Sequence, residues 1–270
     1  MLRSLVQRGV NLLGLELTHR GTARKAEALS ANFAQLIAAY EVALNRANPD
    51  APIDADERRT DIMGRLLGTP PPEAYFIVQA LKRTASVPGD LCEFGVAQGE
   101  TSALIANEIR GSTKTLHLFD SFEGLPAPSA EDELKDDIAK LGSMAAYKGT
   151  MKCAEDMVHG RLAAVGFPGN RTRIHKGFVT ESTFVGNDRL PSAVSFAYVD
   201  FDFYEPIRVT LNFLDRVMPV GGVIIVDDYD FFSTGVKKAV EEFTAQHPGR
   251  YQTEVPDARL GHFAVLTRKA

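Results

Sequence analysis

Residues 90–105 read DLCEFGVAQGETSALI, and the fold turns on how this stretch divides. Its first part, through Val96, is a short apolar run with the length of a buried strand. Gly95 and Gly99 then allow a tight turn and a close approach of ligand to backbone. Past Gly99 the pattern over 100–110 is helical, so the free amides of a helix N-terminus face the turn. Strand, glycine turn and helix together form the opening unit of a parallel α/β sheet.

The same rhythm runs downstream. Apolar runs at 115–120 (TLHLFD), 172–177 (TRIHKG), 195–200 (SFAYVD) and 222–228 (GVIIVDD) alternate with helical patterns around 152–165, 204–217 and 234–247. Such alternation predicts a mostly parallel sheet with helices on both faces. The tail runs RYQTEV and GHFAVLTR have no helix-length connection between them, which predicts a closing antiparallel pair. Upstream, residues 1–87 are helix and loop by pattern: a helix over 26–47, another around 57–67, and a third reaching Lys82 with Pro71 and Pro72 in its first turn. The expected organisation is a helical N-terminal extension and cap, 1–87, before an α/β domain, 88–270. Residues 121–151 form an acidic insertion too long for a simple connection and are expected to cover a site.

Composition narrows the function classes. With 44% hydrophobic and 24% charged residues the chain is an ordinary globular protein, and a net charge of −5 gives no reason to expect nucleic acid as a partner. Cys92 and Cys153 form no CxxC or metal spacing, which favours a reducing cytoplasm. No run approaches the roughly 20 apolar residues that span a bilayer. The first 25 residues interleave Leu2, Leu5, Val6, Leu12 and Leu13 with Arg3, Arg8, Arg20, Arg24 and Lys25. That pattern fits a helix packed on its own domain or a second subunit, and alternatively a peripheral membrane contact. The helical N-terminal third is an expected homo-oligomer interface.

In open α/β sheets ligands bind beyond the carboxyl ends of the strands. The turn at 93–99 departs from GxGxxG, because Glu93 stands where the first glycine would be. A carboxylate there disfavours a pyrophosphate and tolerates the ammonium and sulfonium of S-adenosylmethionine. The second strand ends at Asp120-Ser121, about 20 residues past the turn, where an acid can accept the two hydroxyls of a ribose or cap a helix. Gly177 and Phe178, after the third strand, would lie beside an adenine ring, while His175 is expected to be a strand residue. The fourth and fifth strands end in Asp200 and in Asp227-Asp228, which adjacent strands would bring together. Three meeting carboxylates call for a divalent cation, and all-oxygen ligands select Mg2+ or Mn2+. Asp202 is assigned to the turn after the fourth strand, outside this group.

The segments VPGDLCEFGVAQGETS, DSFEGLP, VDFDFYEP and GGVIIVDDY, taken in order, resemble the macrocin O-methyltransferase family over about residues 60–250. The resemblance implies a class I methyltransferase fold, Rossmann-like with seven strands, using S-adenosylmethionine and Mg2+ on a sugar hydroxyl. It places Glu93, Gly95, Asp120, Ser121, Gly177 and Phe178 against the cofactor, alongside Gly99 of the turn. It assigns Asp200, Asp227 and Asp228 to the metal. Residues 61–68, DIMGRLLG, resemble the segment over the methionine end of the cofactor, which adds Met63, although Ile62 replaces the family's threonine. Some members carry a histidine base after DSFEGLP; here that segment reads LGSMAAYKGTM, where Tyr147 and Lys148 are the titratable groups and His159 follows later. Asp200 is therefore expected to serve as both metal ligand and base. The alternatives are a catechol-type O-methyltransferase and a non-catalytic nucleotide-binding or scaffold protein.

Overall fold

A computed structural model describes residues 52–270 and, ahead of them, the helical residues 35–39, 41–43 and 45–46. The basic start at 1–25 and much of the helix expected over 26–47 lie outside the described residues. Seven strands form one sheet: β1 (Asp90–Phe94), β2 (Leu116–Asp120), β3 (Thr172–Lys176), β4 (Val194–Val199), β5 (Val223–Val226), β6 (Tyr251–Glu254) and β7 (Ala264–Arg268). Their order is β3-β2-β1-β4-β5-β7-β6. The first five are parallel, and β7 runs antiparallel to both β5 and β6. This is the doubly wound sheet with an antiparallel closing pair that the apolar runs predict.

Among the described residues from 52 on, six α-helices connect and cover the sheet: α1 (Glu57–Met63), α2 (Pro71–Arg83), α3 (Glu100–Ile109), α4 (Glu155–Ala164), α5 (Tyr204–Val217) and α6 (Gly235–Gln246). Strand periodicity divides the core between the two faces. Leu91, Leu116, Leu118, Tyr198 and Ile225 point to the side covered by α1–α4. Cys92, Phe94, Phe119, Val199 and Val226 point to the side covered by α5 and α6. Residues 57–83 thus share their core with the strands, since Ile62, Met63, Tyr75 and Ile77 belong to the first cluster. On the second face Phe94 stacks on Phe119 at 4.5 Å between ring centroids.

The strand order reverses between β1 and β4, and at such a switch point the loops leaving the two strands part and open a crevice. Gly95 is required there. It has φ +84°, and a Cβ on it would sit 1.7 Å from the carbonyl oxygen of Asp200 at the end of β4. The two strand ends are drawn together by Asp200 N–H donating to Phe94 O at 2.7 Å.

Candidate active site

The crevice is a cavity of about 520 Å³ along the carboxyl ends of the strands, within the range of small-molecule sites. The β1–α3 turn supplies Gly95, Ala97 and Gln98; β2 supplies Asp120 and Ser121; the loop after β3 supplies Gly177 and Phe178. Across from them stand Asp200, Asp202, Asp227 and Asp228. The covering segment contributes Gly124, Leu125, Pro126, Ala127, Ile138 and Met151, so the insertion forms a wall of the cavity as expected.

Asp120 is held by the turn it faces. Its Oδ2 accepts from the amides of Val96 (2.7 Å) and Ala97 (2.9 Å), and its Oδ1 accepts from the Phe122 amide at 2.6 Å. Ser121 Oγ donates to Gly124 O at 3.1 Å and accepts from the Glu123 amide, closing the loop at the cavity floor. Gly177 has φ +137° and nothing within 4 Å of a Cβ position, so its surface is open to a ligand. Phe178 is 45% exposed beside it, a free ring face at the rim.

Three expected residues lie away from this surface. Glu93 is buried, and its Oε2 accepts from Ser102 Oγ of α3 at 2.5 Å. Strand alternation turns it toward the helices, and burial, with the nearby Asp120 charge, pushes its carboxyl up to about 8 against the Ser102 bond. Gly99 caps α3 at φ +82°, and a Cβ there would meet the backbone of Val158 at 3.1 Å, so its role is helix packing. Met63 is buried in the core, while the loop after it brings Leu67 and Gly68 to the cavity.

The acids at β4 and β5 meet as expected, with one change of membership. Oxygens of Asp200, Asp202 and Asp228 all lie within 4.8 Å of one another. Asp202, assigned by sequence to the turn and outside the group, does sit in the turn, but at φ +62°. That left-handed step folds its carboxylate back beside Asp200 and leaves it buried. Asp228 also has positive φ, +56°, which aims its side chain inward. Asp227 lines the cavity but faces the core: its Oδ2 accepts from the Tyr198 hydroxyl, and its Oδ1 accepts from the Asp228 amide at 2.7 Å. Behind Tyr198 stands Glu73 of α2, wholly buried and with its Oε2 unpartnered, an acid that sequence pattern reads as part of a helix first turn.

Crowding sets the electrostatics. Burial and then the charges of Asp227 and Asp228 hold the Asp200 carboxyl well above the usual carboxylate range. Burial and Asp200 do the same to Asp202, and burial and Asp202 to Asp228. Such a group lowers its energy by binding protons or a cation. The all-carboxylate donor set fits a hard divalent ion. The other titratable candidates lie elsewhere: Tyr147 is buried and donates to Asp137 at 2.9 Å, and His159 is a surface residue of α4 near Glu155.

The sequence model of the macrocin-O-methyltransferase family matches residues 77–258 of this chain. An 8-demethyl-8-(2,3-dimethoxy-alpha-L-rhamnosyl)-tetracenomycin-C 4'-O-methyltransferase of Streptomyces olivaceus is 26% identical over 250 residues, covering 84% of this chain and 89% of that one. Demethyldecarbamoylnovobiocin O-methyltransferase of Streptomyces niveus is 29% identical over 170 residues, and the match spans 60% of each chain. Among solved structures, the O-methyltransferase NovP superposes with a TM-score of 0.61 at 24% identity, covering 74% of this chain and 81% of that one. The calicheamicin methyltransferase CalS11 gives 0.59 at 19% identity, over 85% and 91%. These two likenesses bear on the fold, which is the class I methyltransferase sheet described above. On the strength of the sequence match over residues 77–258, which runs from α2 through β6, the chain belongs to the macrocin-O-methyltransferase family and is an S-adenosylmethionine-dependent O-methyltransferase.

Proposed function

We propose that the enzyme methylates a hydroxyl of a sugar or glycosylated small molecule, with Mg2+ or Mn2+ at the acid cluster. The observation that carries this is the convergence of Asp200, Asp202 and Asp228 at the edge of a cavity that also holds the glycine turn and Asp120. The name of the Streptomyces olivaceus relative, which specifies a rhamnosyl compound, supports the acceptor class.

The chain's own groups divide the work. Asp120, Ser121, Gly177 and Phe178 face the space suited to an adenosine, with Gly95 keeping the turn close to it. Asp200 and Asp228, flanked by Asp202 and Asp227, would hold the ion, and Tyr198 holds Asp227 at their back. A bound divalent ion supplies Lewis acidity and offsets the clustered negative charge. In this reading Asp200 takes the acceptor hydroxyl's proton, supported by its position on the cavity lining, and the apolar wall of Leu125, Pro126 and Ile138 limits water at the methyl transfer. Holding oxygen, methyl carbon and sulfur in line is the main catalytic contribution expected of such a site.

Phe201, Phe231 and Phe232 line the same cavity, and this favours a second reading with a small aromatic diol as acceptor. Calorimetry with S-adenosylhomocysteine and a methyl-transfer assay on rhamnosides, nucleotide sugars and catechols separate the readings. Sugar turnover that stops in excess EDTA is the expected result. Undiminished turnover in EDTA removes the metal role, and turnover of catechols alone removes the sugar acceptor.

A further inference from the structure

The covering segment 121–151 carries a buried carboxylate, Asp132, where it meets the sheet domain. We propose that Asp132 is a positioning residue for the acid cluster: it ties the loop carrying Asp200 and Asp202 to the loop carrying Asp228, and so sets the affinity for a divalent cation. This rests on the metal role proposed above.

Asp132 is 5% exposed and makes four bonds. Its Oδ2 accepts from the amide and hydroxyl of Ser129, at 2.8 and 2.7 Å, which fixes its own loop. Its Oδ1 accepts from the Tyr204 amide at 2.8 Å and from Ser233 Oγ at 3.2 Å. Tyr204 is the first residue of α5, two positions after Asp202; Ser233 lies five positions after Asp228. One oxygen therefore spans both acid-bearing loops.

The two helices that follow these loops lack caps of their own. Phe203 and Thr234 stand at the N-cap positions of α5 and α6 and make no side-chain cap bond. Asp132 caps α5 directly, and reaches α6 through Ser233, whose Oγ accepts from the Gly235 amide at 3.1 Å. Two helix N-termini thus turn their free donors toward the one Asp132 oxygen, directly at α5 and through Ser233 at α6. The junction leaves no free space: a Cβ on Gly235 would stand 1.8 Å from Asp132 Oδ1 and 2.8 Å from the Tyr204 nitrogen. Around it the segment is stitched to the β5–α6 loop, with the Lys135 amide donating to Phe232 O at 2.8 Å and the Glu133 amide to Thr234 Oγ1 at 2.9 Å.

A residue that only capped helices would lower stability without touching cation affinity. A residue that fixes the separation of the two loops alters the distance between carboxylates that share one ion, and outer-shell changes of that kind cost about 10- to 100-fold in metal affinity. The test uses the full chain with Mn2+ as probe, followed by electron paramagnetic resonance, and S-adenosylhomocysteine calorimetry as the measure of an intact fold. Asp132→Asn is expected to weaken Mn2+ binding about tenfold or more, leave S-adenosylhomocysteine affinity within about threefold, and speed hydrogen exchange at the Tyr204 and Gly235 amides. Glu133→Gln, an exposed side chain of the same segment whose amide bond to Thr234 is kept, is expected to bind Mn2+ as wild type does. Unchanged Mn2+ affinity in folded Asp132→Asn overturns the proposal. If that variant does not fold, Ser233→Ala decides in the same way, since it cuts the link toward Asp228, with the Gly235 cap bond, and leaves the Tyr204 bond to Asp132 in place. Wild-type protein that binds no Mn2+ overturns the metal role and this proposal together, whereas equal binding by wild type and variant overturns this proposal alone.

Discussion

Glu93 shows how one residue can be located by sequence and still be given the wrong surroundings. Its place in the glycine turn predicts a carboxylate facing the cofactor, but strand alternation turns the side chain to the α3 face, where Ser102 holds it. A buried acid with its carboxyl pushed up to about 8 stays protonated in the folded protein at neutral pH. The unfolded chain releases that proton near the ordinary glutamate value, so folding binds the extra proton, and stability falls as pH rises from about 4.5 to 8. Glu93→Gln keeps the shape and removes the titration. Its unfolding free energy from urea titration is expected to change less between pH 5 and 8 than that of wild type, by roughly 2–4 kcal/mol, with S-adenosylhomocysteine affinity within about threefold. A large loss of affinity with an intact fold would place Glu93 at the cofactor after all. Asp202 and Asp227 show the same limit: both lie where the sequence puts them along the chain, but a single left-handed φ at Asp202 and one phenol at Asp227 decide which carboxylate joins Asp200 and Asp228.

At the scale of elements the sequence is far more legible. All seven strands and the helices after residue 56 occur where apolar period and breakers put them, because a buried strand needs a continuous apolar run and a surface helix needs one apolar stripe. The glycine turn is equally readable, and its necessity can be measured. Since a Cβ at position 95 would stand 1.7 Å from the Asp200 carbonyl oxygen, Gly95→Ala must part β1 from β4 or distort the turn. A cost of about 3 kcal/mol or more is expected in thermal unfolding, together with at least a tenfold loss of S-adenosylhomocysteine affinity. A variant as stable as wild type would mean that the turn relaxes freely. The covering segment is the least readable element: it carries little regular structure, and its anchor at Asp132 joins positions 72 residues apart, beyond the reach of any local period.

Across the whole molecule, residues distant in sequence tune one another through the sheet. His175 on β3 stacks on Phe119 at 4.2 Å, and its Nε2 lies 3.0 Å from His117 Nδ1 on β2. Burial, with His117, Arg189 and Arg173 adding positive charge, pushes its imidazole down to about 4. The unfolded chain binds this proton near pH 6.5 and the folded one does not, so the residue costs stability as pH falls from 6.5 toward 4. The acid cluster works in the opposite direction, since its carboxyls hold protons in the fold that the unfolded chain releases. Comparison with His175→Gln isolates the imidazole: the variant is expected to lose about 1–2 kcal/mol less than wild type between pH 7 and 4.5, discounted for the partial exposure of the ring. Identical pH profiles would show that His175 takes up its proton without strain.

The sequence by itself determined the alternation of strands and helices, the glycine turn, the acids at the strand ends and the family, because these depend on local period and on residue type at fixed spacing. Tertiary structure alone decided which acids converge, that Glu93 faces a helix, that Glu73 of α2 stands behind Tyr198, and that Asp132 closes the covering segment onto two loops. Each of these depends on a backbone angle or a contact between distant segments, and packing settles it only once the sheet has brought those segments together.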